Sequence, residues 1–180
     1  PSRSSCADSS SARAVARSLS ALIAKHDRIS IAVAWGGLTS VADDLLANAS
    51  KFASVLVGVD FKATDPDLID RLVDVPNAYI ARGRPGCFHP KIFNFETGRT
   101  AEAIVGSANF TPGGLGTNLE ASVHAKGSVD DPFFQQVRER LGEYRKLHLP
   151  ITRLLADSYR RQCTAGVPPA RPKNPILPDD

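Results

Sequence analysis

The chain has 180 residues, 42% of them hydrophobic, which is enough for one domain with a substantial core and too little for two large ones. Its formal net charge of +3 is compatible with a polyanionic partner without requiring one. Cys6, Cys87 and Cys163 are scattered and lack CxxC spacing, which argues against a disulfide framework and predicts a reducing, cytoplasmic setting. No apolar run approaches the roughly 18 residues of a membrane span, so no membrane partner is expected.

The first half of the chain alternates between helical and extended patterns. The segments ISIAVAW and SVLVGV are apolar on both faces, which predicts buried strands of a sheet that is covered on both sides. Helical spacing of apolar residues predicts helices in ARAVARSLSALIAKH, TSVADDLLANAS and TDPDLIDRLVDV, each of which follows Ser, Thr or Asp as a candidate N-cap. This alternation indicates an α/β fold.

After NAYIAR the pattern changes to successive extended segments. FHPKIFNFE, AEAIVGSANF and TNLEASVHA are separated by Gly, Thr and Pro turn residues, which predicts adjacent strands. Helical periodicity returns in DDPFFQQVRERLGEYRKLH. We therefore predict a mixed β-sheet flanked by helices on both faces.

The C-terminal segment differs in composition from the rest of the chain. AGVPPARPKNPILPDD is rich in proline, which cannot continue a helix or a central strand. The sequence therefore predicts a domain over residues 1–163 and an extended tail or linker over residues 164–180. Such a linker raises the expectation of a further domain after it.

A candidate site lies in the extended half of the chain. In a strand, residues two apart point to the same face, so His89 and Lys91 are expected to emerge side by side. In the next strand Ser107 and Asn109 also share a face, and Gly106 allows close approach of a ligand to the backbone. If the two strands pair, an imidazole, an ammonium, a hydroxyl and an amide converge, and these groups suit the oxygens of a phosphate.

Glu120, on the third predicted strand, is the natural carboxylate for this site. A carboxylate inside an apolar strand is costly unless it is paired. We expect it to accept a hydrogen bond from the far nitrogen of His89, which would fix the tautomer of the ring and aim its other nitrogen.

These residues carry a resemblance. HPKIFNFE followed by GSANFTPGGLGTNLE resembles the HKD motif of the phospholipase D superfamily, and most closely its single-motif bacterial nucleases, including the restriction endonucleases of that type. His89, Lys91, Asn109 and Glu120 occur in the family's order, with an intact GSxN element that includes Ser107. In one departure, Glu96 stands where the family has an aspartate of largely structural role.

The resemblance implies a mechanism and an assembly. Family enzymes bring two such motifs to one active site, whereas this chain has one, so the resemblance implies a homodimer with two copies of His89 facing each other. One histidine would form a phosphohistidine while the other donates a proton to the leaving oxygen. Lys91, Ser107 and Asn109 would bind the phosphate. No metal and no cofactor are then required, and the sequence offers no HExxH motif, acidic triad or Cys/His quartet.

The other histidines do not supply a second motif. His26, His124 and His148 are not followed by a second GSxN element. His124 and Lys126 do form another HxK pair, and we keep a role for it as an alternative.

Two further features have open interpretations. Trp35 follows the first strand, where loops of open α/β sheets often reach a site, but it is equally compatible with core packing. Arg138, Arg140, Arg145 and Lys146 either follow a phosphate backbone or form a solvated helix face.

The sequence as a whole predicts a metal-independent phosphodiesterase, an endonuclease that cleaves nucleic acid, with DNA as the expected substrate. The alternatives are an RNA-directed nuclease, a phosphodiesterase of the same chemistry that acts on phospholipid, and an inactive domain that only binds nucleic acid. The chain shows no helix-turn-helix or zinc finger that would define sequence specificity.

Overall fold

The computed structural model describes residues 12–81 and 86–165. Cys6 and the proline-rich tail from residue 166 onward lie outside the described residues. The predicted domain boundary after residue 163 therefore stays a prediction.

Seven strands form one mixed sheet in the described residues. Their bounds are β1 Arg28–Val33, β2 Phe52–Val57, β3 Ala78–Ala81, β4 Lys91–Thr97, β5 Thr100–Gly106, β6 Ser122–Ser128 and β7 His148–Pro150. Their order in the sheet is β6-β5-β4-β1-β2-β3-β7.

The two halves of the sheet differ in strand direction. β1, β2 and β3 run parallel, as expected for strands joined by crossover helices. β4, β5 and β6 are antiparallel neighbours, and β4 pairs antiparallel with β1. A tight turn at Gly98, whose φ is 55°, joins β4 to β5. The mixed sheet and the succession of strands in the second half confirm the prediction.

Helices cover both faces of the sheet, as predicted. They are α1 Ala12–Lys25, α2 Ser40–Ala47, α3 Pro66–Arg71, α4 Pro132–Tyr144 and α5 Arg153–Thr164. α1, α2, α3 and α5 pack on the face that carries Ile31, Val57 and Phe93. α4 packs through Val137 and Leu141 on the other face.

Side chains at the helix starts define two of these boundaries. The hydroxyl of Thr39 accepts a hydrogen bond from Ala42 N at 3.1 Å, and the carboxylate of Asp65 accepts one from Asp67 N at 2.9 Å. These contacts satisfy amide groups that have no partner within the first turn. They also fix where the loops after β1 and β2 end.

Two elements were absent from the prediction. β7 is only three residues long, and α5 presents a narrow apolar stripe, with Ala156 and Tyr159 as its buried residues. β7 is held by antiparallel pairing with β3, whereas α5 starts at an N-cap in which the hydroxyl of Thr152 accepts a hydrogen bond from Leu155 N at 3.3 Å. Among the described helices, none combines the length and the apolarity that crossing a membrane requires.

Candidate active site

His89 and Lys91 lie side by side at one end of the sheet. The sequence predicted that His89 lies within a strand. In the structure β4 begins at Lys91, so His89 precedes the strand. The carbonyl of Pro90 nonetheless accepts a hydrogen bond from Ala34 N at 2.8 Å, which keeps this segment extended beside the end of β1. Nζ of Lys91 lies 2.7 Å from Nδ1 and 2.9 Å from Nε2 of His89.

The electrostatics of this pair favour a neutral imidazole. Partial desolvation lowers the pKa of His89, and the neighbouring Lys91 cation lowers it further. Lys91 is only 6% exposed, and burial lowers the pKa of its ammonium, while Cys87 and Glu120 act in the opposite direction. Cys87 itself is half-buried.

Trp35 belongs to this site. Its ring meets His89 edge-on, with the centroids 5.1 Å apart and an interplanar angle of 75°. Nζ of Lys91 lies 5.7 Å from the centroid of the Trp35 ring, within the range of a cation–π interaction. The indole Nε1 is buried and has no hydrogen-bond partner among the described residues. Of the two interpretations of Trp35 from the sequence, the structure supports the site loop.

The register of β4 and β5 brings the second half of the motif to the same end of the sheet. Ile92 pairs with Val105, so continuing this antiparallel register places Lys91 opposite Gly106. The predicted pairing of these strands is therefore confirmed. A Cβ atom at Gly106 would lie 2.3 Å from the carbonyl oxygen of Ala121, so glycine is required here by close backbone approach.

The segment that carries Asn109 is fixed against the loop after β1. Phe110 N donates to Trp35 O at 3.1 Å, and Gly37 N donates to Phe110 O at 2.7 Å. Gly114 packs closely on the backbone of Asn109. A Cβ atom at position 114 would lie 2.3 Å from the backbone carbonyl oxygen of Asn109. Oδ1 of Asn109 is buried without a hydrogen-bond partner among the described residues. The backbone next to Asn109 is thus tied to Trp35, and the side-chain oxygen of Asn109 makes no hydrogen bond within the described residues.

Glu120 differs from its predicted placement. It lies in the loop before β6, not in the strand, and its carboxylate accepts hydrogen bonds from Ser107 Oγ and, at 3.1 Å, from Asn118 Nδ2. Ser107 N donates to Ala121 O at 2.9 Å, which extends the β5–β6 pairing and places Glu120 next to Ser107. Among the described residues of the single chain, the expected hydrogen bond from His89 to Glu120 is not formed.

The loop after β2 also reaches the site, which the sequence did not indicate. Asp60 accepts a hydrogen bond from Phe88 N at 2.7 Å, next to His89. The following residue, Phe61, is 75% exposed and meets the Trp35 ring at a centroid distance of 6.4 Å. No periodicity or motif in this loop distinguishes an exposed phenylalanine from a buried one.

Glu96 lies at the opposite end of β4 from Lys91. Its buried carboxylate is 3.4 Å from Arg28 and 3.6 Å from Arg138, and it accepts a hydrogen bond from Asn94 at 3.1 Å. Glu96 is five positions along the extended strand from Lys91, a distance of about 16 Å. Its contacts are those of a structural carboxylate.

The alternative HxK pair makes a separate cluster. Nε2 of His124 lies 2.9 Å from Glu102, and Lys126 Nζ lies 4.0 Å from the same carboxylate. His26 also contacts Glu102, at 3.4 Å. Because Glu102 pairs with Phe95 on β4, this cluster is several residues along the sheet from Lys91.

The remaining histidine and the basic run are also outside this site. His148 lies 3.3 Å from Ser54 Oγ and stacks on Tyr79. Arg140 pairs with Glu143 at 2.6 Å. Arg138 and Arg145 line a cavity of about 240 Å³ together with Arg28, Ser54 and Glu96. Contact of this run with a phosphate backbone stays a prediction.

Residues that could hold a metal do not cluster in the described ranges. Within residues 12–81 and 86–165, no three His, Cys, Asp or Glu side chains are arranged to bind an ion.

No family model matches the sequence, and a search of curated proteins found no match. Solved structures do match. NucT from Helicobacter pylori is 18% identical, with a TM-score of 0.54 over 76% of this chain and 88% of that one. Nuc from Salmonella typhimurium, a phospholipase D family member, is also 18% identical, with a TM-score of 0.54 over 78% of this chain and 89% of its own. The chain thus shares the fold of these two proteins.

Proposed function

We propose that the protein is a phosphodiesterase that cleaves nucleic acid, with DNA as the preferred substrate, at the site formed by His89, Lys91, Ser107 and Asn109. The observation that carries this proposal is the contact between the buried Lys91 ammonium and both nitrogens of His89. It combines a neutral imidazole, which has a lone pair to offer, with a cation that attracts a phosphate. The fold shared with NucT and Nuc supports the same proposed function.

The reaction needs two histidines, and one chain supplies one at this site. A second copy of the chain, related by a twofold axis, would place its own His89 across the scissile phosphate. Glu120 does not reach His89 within its own chain, so we assign it to the imidazole of the second copy, where a carboxylate fixes the tautomer and stabilises the cation.

In the first step, a nitrogen of neutral His89 attacks phosphorus, a P–N bond forms, and the P–O bond to the leaving nucleoside breaks. The protonated His89 of the second copy donates its proton to the leaving oxygen. In the second step, the now neutral second histidine takes a proton from water, whose oxygen attacks phosphorus and breaks the P–N bond. Lys91 and the amide of Asn109 bind the phosphoryl oxygens in both steps.

The test is incubation of the purified protein with labelled DNA, RNA and phospholipid substrates in excess EDTA, with His89→Ala as the inactive control. We expect cleavage of DNA that persists in EDTA and is lost in the variant. Complete loss in EDTA with recovery on adding magnesium refutes the mechanism. Cleavage of phospholipid alone refutes the substrate class, and binding of DNA without any cleavage identifies an inactive binding domain.

A further inference from the structure

Phe61 combines exposure with an unfavourable backbone conformation. Its side chain is 75% exposed and its φ is 59°, in the left-handed region, where Lys62 follows with a φ of 56°. A bulky residue in this region is strained, and exposing its ring to water adds nothing to folding stability. Such combinations persist where the surrounding structure enforces them, and they concentrate at functional sites.

Hydrogen bonds fix the loop on both sides of Phe61. Asp60 is bonded to Phe88 N at 2.7 Å, and Thr64 Oγ1 donates to Gly58 O at 2.6 Å. A Cβ atom at Gly58 would lie 2.5 Å from Ala34 O, so the loop begins in close contact with the end of β1. The exposed ring is therefore presented from a defined position.

That position places Phe61 close to the proposed nucleophile, His89. Both rings contact Trp35, whose ring centroid lies 6.4 Å from that of Phe61 and 5.1 Å from that of His89. Phe61 and His89 are thus no farther apart than these two distances together. Phosphates of one strand advance about 3.4 Å along the axis of a duplex, so at that spacing the span corresponds to at most about three to four nucleotides.

We propose that Phe61 is a stacking platform for an unpaired base next to the scissile phosphate, with Lys62 contacting the adjacent backbone, and that this loop makes the enzyme prefer single-stranded nucleic acid. The proposal rests on the proposed function and adds the strandedness of the substrate. An aromatic face beside a cation is how proteins bind single strands, because every base offers a π-face once it is unstacked from a duplex. A lipid surface is instead engaged by a broad apolar face rather than by one ring beside one ammonium.

The decisive variants are Phe61→Gly and Phe61→Trp. Glycine adopts a φ of 59° without strain, so Phe61→Gly is expected to fold, and tryptophan preserves a stacking face. Leu154→Ala is the matched control, because Leu154 is 77% exposed and lies at the start of α5. Each protein is assayed on a single-stranded oligonucleotide, on its duplex, and on the same single strand with abasic residues flanking the labelled phosphate.

We expect Phe61→Gly to weaken binding of the single strand about 5- to 150-fold, since stacking of one base contributes on that scale. Phe61→Trp and Leu154→Ala should bind like the parent. On the abasic strand the parent and Phe61→Gly should cleave equally, which shows that the catalytic groups remain in place. The parent's preference for single strand over duplex should shrink in Phe61→Gly.

The outcomes separate this inference from the proposed function. A parent that cleaves none of the three substrates refutes the proposed function. A parent that cleaves the single strand, with Phe61→Gly binding it equally well, refutes the stacking role alone. A parent that prefers duplex also overturns it. Loss of activity on phosphatidylcholine vesicles, rather than on the oligonucleotide, would assign Phe61 to lipid binding.

Discussion

Nζ of Lys91 lies 2.7 Å from Nδ1 and 2.9 Å from Nε2 of His89. One buried ammonium thus faces both nitrogens of one imidazole. This contact opposes protonation of the ring, because a second positive charge would lie next to the first. In the proposed mechanism, this pair helps to set the pH range over which His89 is a neutral nucleophile.

The acid limb of the kcat/KM profile is expected to follow the pKa of His89, because the neutral nucleophile is lost as pH falls through that value. Desolvation and Lys91 lower this pKa, whereas Glu120 of the second copy in the proposed dimer would raise it. Lys91→Met removes the cation and should raise the pKa of His89, as followed by NMR titration of the ring. An unchanged His89 titration in Lys91→Met contradicts this assignment.

His89→Ala should abolish turnover while leaving nucleic-acid affinity largely intact, because Lys91 and the surface arginines supply that affinity. Trapping the phosphohistidine intermediate tests this role directly, because a phosphohistidine is labile in acid and stable in base. Rapidly quenched reactions with phosphorus-labelled substrate should leave a base-stable, acid-labile label on the parent and none on His89→Ala. His124→Ala is the control and should behave as the parent. A label mapped to His26, His124 or His148 would falsify the assignment.

Glu120→Gln should fold like the parent, because the amide oxygen still accepts from Ser107, yet lose about 10²- to 10⁴-fold in kcat. An amide cannot stabilise an imidazolium as a carboxylate does. Glu139→Gln, an exposed change on α4, provides the control. Thermal unfolding checks the fold, and a parent-like kcat in Glu120→Gln would remove Glu120 from the mechanism.

If two chains share one active site, activity should respond in a characteristic way when parent and His89→Ala chains are mixed. Light scattering should give twice the chain mass at micromolar concentration. When parent is exchanged with excess His89→Ala, activity should fall well below simple dilution, because each mixed dimer has one histidine where two are needed. A monomer with activity linear in protein concentration is incompatible with the proposed site.

Glu96→Ala should reduce the free energy of unfolding by about 1–3 kcal/mol, because it leaves Asn94 and two arginines without their buried partner. Since Glu96 lies at the far end of β4, kcat at temperatures where the variant is folded should match the parent. Asp130→Ala, which breaks the exposed pair with Arg99, should cost less than about 1 kcal/mol. Urea denaturation measures both, and a large fall in kcat would give Glu96 a role in the site.

Two kinds of contact in the site could be predicted correctly from the sequence. They join residues that are close in the chain, or they follow from the pairing of adjacent strands. His89 and Lys91 are two residues apart in an extended segment, so their proximity follows from backbone geometry alone. The antiparallel pairing of β4 with β5 follows from a two-residue turn between two apolar strands, and it brings Gly106 opposite Lys91. The alternation of helices and strands followed from periodicity in the same way.

Other features were decided only by contacts between segments far apart in the chain. The position of α5 depends on contacts distant in sequence, including the hydrogen bond that the Tyr159 hydroxyl donates to the carbonyl oxygen of Thr64. Glu120 bonds to Ser107 instead of His89, because the ladder between β5 and β6 continues past the end of β5. Phe61 reaches the site because Asp60 binds Phe88, a contact across 28 residues that no local pattern encodes. Periodicity specifies which face of an element is buried, whereas the meeting of loops at one end of a sheet depends on the order and register of its strands.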